Sequence, residues 1–163
     1  MGDPSLISGR YRLTRIETIS TGEINENKVG YSNEDPGSHY QLALGDILFS
    51  NINSLPYIGN VALYRIPTGL FHGINLLKLR ANDSTVPEFL FQMLRSGEKR
   101  NWARKHANPA VSQASINQSL LAKEPIEVCG IEEQQQIAKF LSRFDHLITL
   151  HQRKHDQHYV LAR

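Results

Sequence analysis

The sequence predicts an α+β fold: a compact, strand-rich body with short helices, followed by a long C-terminal helix of the coiled-coil type. Three observations carry the prediction. Short apolar runs broken by Gly, Pro and Asn fill the first half. Apolar residues change to a three- and four-residue step beyond about residue 87. From residue 131 onward that step is sustained to the end. At 163 residues, 40% of them hydrophobic, the chain can bury an ordinary core without cross-links. Its one cysteine, Cys129, cannot form an internal disulfide and reads as a small buried residue. No stretch of about 18 apolar residues occurs, and the opening ten residues hold no apolar core of signal-peptide length. The expected protein is neither membrane-spanning nor secreted, and the cytoplasm is its expected compartment.

Tyr11, Leu13, Arg15 and Glu17 alternate with Arg12, Thr14 and Ile16, which predicts a strand ending before Gly22. Residues 23–39 are polar and rich in turn formers, a loop with no expected element. Gly45-Asp46 is a turn dipeptide, and Ile47-Leu48-Phe49 follows as a short apolar strand. A polar connection through Asn51, Asn53, Ser54 and Pro56 leads to two more strands, residues 59–65 and 74–79, around a Pro67/Gly69 turn. Asn82, Asp83, Ser84 and Thr85 offer helix caps, Pro87 fits a first helical turn, and Phe89, Leu90, Met93 and Leu94 recur at helical spacing. Gly97 interrupts this helix, and residues 98–106 form a second piece with Trp102 and Ala103 inward. Residues 107–119 read as a loop ending in a Ser115-x-x-Gln118 capping box ahead of Leu120-Leu121. Pro125-Ile126-Glu127-Val128 reads as an edge strand. The final helix carries Ile137, Phe140, Phe144, Leu147, His151, Lys154, His158 and Leu161 on one seam. At a rise of 1.5 Å per residue it runs to about 50 Å, overhangs so small a body, and needs a partner for half of its seam. The seam is aromatic and aliphatic at its start and polar from His151, so pairing should be firm near Phe144 and loose beyond.

The formal net charge is +2, but it is unevenly placed: −3 over residues 1–60, +4 over 61–127 and +1 over 128–163. Arg95, Lys99, Arg100, Arg104 and Lys105 crowd into one stretch opposed by Glu98 alone. That stretch is either a solvated helix face or a set of phosphate contacts. Beside it, residues 107–119 carry no charge but hold Asn108, Ser112, Gln113, Ser115, Asn117 and Gln118. Amide side chains can bond an adenine edge in pairs and hydroxyls can bond several bases, so a polar loop beside a basic helix fits base readout supported by phosphate contacts. The same residue types cap helices and shape turns in any protein, and Asn51 and Asn53 carry the same two readings. The sequence has no glycine-rich phosphate loop, no His-Glu-x-x-His, no Gly-x-Ser-x-Gly and no carboxylate cluster with a lysine. A non-catalytic chain is therefore expected. His151 and His155 stand four apart on the final helix, a spacing that can grip a divalent metal, but no third ligand joins them, so no metal site is expected.

Five strings stand together in order: residues 45–54 (Gly45-Asp46-Ile47-Leu48-Phe49-Ser50-Asn51-Ile52-Asn53-Ser54), Ile58-Gly59-Asn60-Val61-Ala62, the loop from Ala110 to Gln118, Glu133-Gln134-Gln135-Gln136-Ile137, and Leu147 to Lys154. Together they resemble the specificity subunit of type I restriction-modification systems, over roughly residues 11–154. The resemblance implies a DNA target recognition domain over residues 1–128 and the start of a conserved helical spacer and dimerisation arm over 129–163. It also implies that a full subunit holds two such halves in tandem with their helices antiparallel, each half reading one part of a split double-stranded DNA target. This chain would supply one half, with its start shortened and its end departing from the family's leucine-bearing repeats after Lys154. The helix-pairing candidates are Ile137, Phe140, Phe144, Leu147 and His151. The implied partners are the methylation and restriction subunits and a second specificity half or copy. S-adenosylmethionine, ATP and magnesium would belong to the partner subunits, and no cofactor to this chain. A second reading stays open: a shortened, helix-mediated interaction protein that docks a methylation subunit or another half without effective DNA readout.

Overall fold

Ile47-Leu48-Phe49 carries no polar side chain, and a strand with two apolar faces has to be covered on both. That requirement organises the body in the computed structural model, which describes residues 6–20, 22–110 and 113–161, with side chains as far as residue 153. Among the described residues, nine short strands pair into three small sheets. The strands are β1 (Tyr11–Leu13), β2 (Gly30–Ser32), β3 (Ile47–Phe49), β4 (Ile52–Asn53), β5 (Val61–Leu63), β6 (Leu70–Phe71), β7 (Leu77–Leu79), β8 (Asn108–Pro109) and β9 (Ala114–Ser115). Their orders are β2-β1-β6, β5-β3-β7 and β4-β9-β8. In the middle sheet β3 is antiparallel to both neighbours, with Leu48 opposite Ala62 and Lys78. The two-residue period of a strand then sorts the side chains. Ile47, Phe49, Val61 and Leu63 join one core with Phe91, Leu94, Ala103, Ala114 and Ile116. Leu48, Ala62 and Tyr64 join the other with Ile19, Leu42, Leu70 and Leu76.

The turn into β3 is held by a buried charge. Asp46 is fully enclosed, and its carboxylate accepts the Ala43 N–H at 2.7 Å and a bidentate pair from Arg80, Nε at 2.7 Å and Nη2 at 2.8 Å. Every lone-pair direction that matters is thus met, which is the condition for burying a carboxylate. The pair raises the Arg80 guanidinium pKa above its ordinary value, through the hydrogen bonds to Asp46 first and its charge second. Gly45 supplies the positive φ of 87° that the turn requires.

Several expected elements are redrawn. The strand predicted through Glu17 stops at Leu13, because Ile16–Ile19 closes into a 3-10 turn in which the Thr18 hydroxyl accepts the Arg15 N–H and donates to the Lys28 carbonyl. The segment read as plain loop over 23–39 contains β2, and the Pro67/Gly69 turn runs into β6, which lies parallel to β1. The strands predicted over 59–65 and 74–79 shorten to β5 and β7. Residues 125–128 form no strand; the Pro125 carbonyl instead accepts Lys99 Nζ at 2.6 Å. Cys129 is half-buried, not enclosed, and its carbonyl accepts a side-chain amide.

Four helices follow the β-rich half among the described residues: α1 (Pro87–Leu94), α2 (Gly97–His106), α3 (Gln118–Leu121) and α4 (Ile131–Leu161). Pro87 opens α1 and Ser96 caps α2, its hydroxyl accepting the Lys99 N–H. The cap of α3 is Asn117, whose Oδ1 accepts the Leu120 N–H at 2.8 Å, and not Ser115, which is held in β9. The long helix packs along α1. Gln134, 1% exposed, fixes the contact: its Oε1 accepts the Val86 N–H at 2.8 Å, and its Nε2 donates to the carbonyls of Ser84 and Cys129 at 3.0 and 2.8 Å. Farther along, Asp145 accepts from Gln92 Nε2 at 3.0 Å and Arg95 Nη1 at 2.5 Å. The body therefore takes the polar and small side of α4, Gln134, Ala138 and Asp145, and leaves its apolar side in solvent.

Candidate nucleic-acid interface

Ala103 is fully buried and Trp102 packs against the first core, so α2 turns its apolar side inward as predicted and its basic side outward. Arg100 and Arg104 stand one turn apart on α2, and both are half-buried at the edge of that side. Arg104 donates from Nη2 to the Pro56 carbonyl at 3.2 Å and from Nη1 to Asn101 Oδ1 at 3.4 Å. The Nε groups of Arg100 and Arg104 are enclosed without a hydrogen-bond partner among the described residues. Lys105 is exposed beside them. A guanidinium donates to a phosphate, and with Nε enclosed these two arginines would do so through their Nη groups.

The other two expected phosphate contacts do different work. Lys99 Nζ binds Glu124 Oε1 and the Pro125 carbonyl, each at 2.6 Å, and its side chain is only 12% exposed. Its charge is matched inside the protein. Arg95 follows α1, lies over the Phe91 ring and pairs with Asp145 of α4. Arg95 and Lys99 thus each already face a carboxylate within the fold.

The uncharged loop is a hairpin. β8 begins one residue after α2, β9 pairs with it antiparallel with Asn108 opposite Ser115, and the Ala110 N–H donates to the Gln113 carbonyl at 3.0 Å. β9 pairs on its other side with β4, so the hairpin is joined to the connection after β3. Asn108, Gln113 and Gln118 are exposed on this surface. Ser112 lies outside the described residues. The remaining base-readout candidates hold the frame. Asn51 is buried, its Nδ2 donating to the Ile116 carbonyl at 3.3 Å; Asn53 bonds Ser50 and the Ser54 N–H; Ser115 is half-buried in β9; Asn117 is a helix cap. Asn51 Nδ2, Asn53 Oδ1 and Asn117 Oδ1 are spent on backbone groups, the common employment of short polar side chains, while Asn51 Oδ1 is buried without a partner among the described residues.

Two residues on this face escaped the sequence reading. Leu55 and Tyr57 are each 50% exposed in the turn whose Pro56 carbonyl holds Arg104. The available signal was the apolar triplet Leu55-Pro56-Tyr57 directly after the polar Asn53-Ser54. The shifted titrations lie elsewhere. Glu26 is held below the ordinary carboxylate range by hydrogen bonds from Thr68 and then Arg12, and burial pushes the His72 imidazole down. Among the described residues no three His, Cys, Asp or Glu converge; the side chains of His155 and His158 lie outside them.

The helix-pairing candidates sit together on the outer side of α4. Phe140 and Leu147 are 60% and 59% exposed, Phe144 and His151 are also exposed, and Ile137 is half-buried. Phe140 and Phe144 lie against each other, ring centroids 4.8 Å apart, and Ile148 is exposed too.

Residues 8–157 match the family described as the type I restriction modification DNA specificity domain. The chain belongs to that family. Among curated proteins, this specificity domain is 46% identical over 143 residues to a Methanocaldococcus jannaschii protein that carries the provisional name type I restriction enzyme MjaX specificity subunit. The match takes in 85% of this chain and 34% of the relative. A solved structure described as concerning complex assembly and conformational transition of the type I restriction-modification system contains a chain of the same fold. It superposes with a TM-score of 0.61 at 22% identity, over 87% of this specificity domain and 37% of that chain. The specificity domain thus spans about a third of the length of the relatives it matches.

Proposed function

We propose that this chain reads one half of a split double-stranded DNA target as the non-catalytic specificity part of a type I restriction-modification assembly. The observation that carries the reading is that the basic last turn of α2, with Arg104 and Lys105, leads through Ala107 into the β8-β9 hairpin, whose Asn108 and Gln113 are uncharged and exposed. Arginines of α2 bind phosphates and set the register, while Asn108, Gln113 and Gln118 reach base edges, the division of labour that specific DNA binding requires. Methylation and restriction subunits supply the chemistry and hold S-adenosylmethionine, ATP and magnesium; this chain holds no cofactor. The work is cytoplasmic, and among the described residues no helix is long and apolar enough to cross a membrane. The outward stripe Phe140, Phe144 and Leu147 pairs with a second specificity half or copy and with methylation subunits, because apolar area of this extent is unfavourable in water.

Selection of bound fragments from random DNA, by this chain together with its methylation subunits, tests the reading. A recurrent half-site is expected, with affinity falling steeply as salt rises. The exposed stripe on α4 favours one competing account, a docking protein without readout. That account wins if the chain joins the methylation subunit in sedimentation while selection returns no motif and binding shows no salt dependence.

A further inference from the structure

We propose that the turn Ser54-Leu55-Pro56-Tyr57 is a rigid apolar wedge that meets base faces at one step of the DNA duplex, with Arg100 and Arg104 on the flanking phosphates. The proposal rests on the DNA-reading function above.

The first argument is exposure. Leu55 and Tyr57 stand half out of the protein on either side of Pro56, whose carbonyl accepts the Arg104 guanidinium. The second is rigidity. The N–H groups of Tyr57 and Ile58 both donate to the Ser54 carbonyl, at 2.9 and 3.1 Å, and the Asn60 N–H donates to the Tyr57 carbonyl at 3.1 Å. Asn53 Oδ1 accepts the Ser54 N–H at 2.8 Å, and Pro56 restricts its own φ. A turn so tied is already in its bound shape, which removes an ordering penalty on binding. The third is position. The Pro56 carbonyl holds Arg104, and Gly59 lies so close to α2 that a Cβ there would fall 2.6 Å from the Ala103 Cβ. Strand β4, which leads into the turn, pairs with β9 of the reading hairpin.

Chemistry then selects the occupant. The cations beside the turn call for a polyanion, and the sugar-phosphate exterior of a duplex offers Leu55 and Tyr57 little to bind. Base faces offer both an apolar surface and a stacking partner, and side chains of this kind are inserted at base steps by proteins that deform DNA. A tyrosine adds its ring face at the cost of few rotamers.

The test uses the chain in complex with its methylation subunits, on duplexes carrying the selected half-site with 2-aminopurine placed in turn at each step. The wild-type complex should brighten the fluorophore at one step. Tyr57→Ala and Leu55→Ala should each abolish that signal and weaken binding about tenfold, the scale of losing one stacked side chain, whereas Tyr57→Phe should keep both. Thermal unfolding of the variants should match wild type, since both side chains are already half in solvent. If the alanine variants bind and brighten like wild type while Arg104→Ala weakens binding, DNA reading stands and the wedge is wrong. If instead they lose the methylation subunit in the absence of DNA, the turn is a protein contact and the wedge is again wrong. A wild-type complex that binds no duplex removes both the reading and the wedge.

Discussion

α2 and α4 wear the same two-sided pattern in opposite senses. In α2 the body takes the apolar side, Ala103 and Trp102, and the basic side faces out. In α4 the body takes Gln134, Ala138 and Asp145, and Phe140, Phe144 and Leu147 face out. A globular fold ordinarily buries the apolar side of a helix because that is where the free energy lies. When it binds the polar side with specific hydrogen bonds instead, the apolar side has been kept for something else. Under the function proposed above, the two helices serve two kinds of partner, an anionic one at α2 and an apolar one at α4.

The strongest way to break this contrast is to remove the bonds that orient α4. Gln134→Ala leaves the Val86 N–H and the carbonyls of Ser84 and Cys129 without their partner in a buried site, and should destabilise the chain by roughly 2–3 kcal/mol in urea unfolding. The matching change at α2 is Gly59→Ala. A φ of 78° and the close Ala103 make the added methyl strained, and a loss of about 1–3 kcal/mol is expected, with the helix displaced. Next come the outward sides. Arg100→Ala and Arg104→Ala should weaken DNA binding nearly equally for all sequences and lower the salt slope by about one each, while Gln113→Ala should shift preference at one base pair by about 1–3 kcal/mol. Phe144→Asp should leave the unfolding free energy of the isolated chain within about 0.5 kcal/mol, as exposed positions do, yet abolish helix-mediated association in sedimentation. An unfolding cost of several kcal/mol there would show that the aromatic stripe belongs to the chain's own core.

The smallest effect is a pH dependence seated in neither helix. Burial holds the His72 pKa below its ordinary 6.5, so the unfolded chain binds more protons as pH falls below 6.5. Stability should decline from there until the lowered folded value is passed, and His72→Gln should flatten that part of the curve. Glu26 acts lower on the scale, its contribution present above the unfolded carboxylate pKa of 4.5 and lost as pH falls through its depressed folded value. Charge changes at α2 or α4 should leave the His72 decline in place.

Legibility followed the range of the forces involved. β3, α1, α2 and α4 were readable because each is announced by its own apolar period, with Pro87 marking the start of α1. β2, β6 and the two hairpin strands were not, since strands of two or three residues take their geometry from partners distant in the chain, as β1 does from β6. The expected site divided in the same way. A basic helix beside a polar hairpin was visible, whereas the withdrawal of Lys99 to Glu124, Arg95 to Asp145 and Asn51 to Ile116 joins residues 25, 50 and 65 positions apart. Asp46 was read only as part of a turn; its pairing with Arg80 spans 34 positions and carries no local mark.

By itself, the sequence determined the class of the fold, the place where strands give way to helices, the long final helix and the family, because these rest on local period and on ordered motifs. Only the tertiary structure decided which charged and polar side chains still face outward and which side of α4 is left bare. Hydrogen bonds and ion pairs are short-ranged, and whether a side chain finds its partner inside the protein depends on elements that meet only after folding.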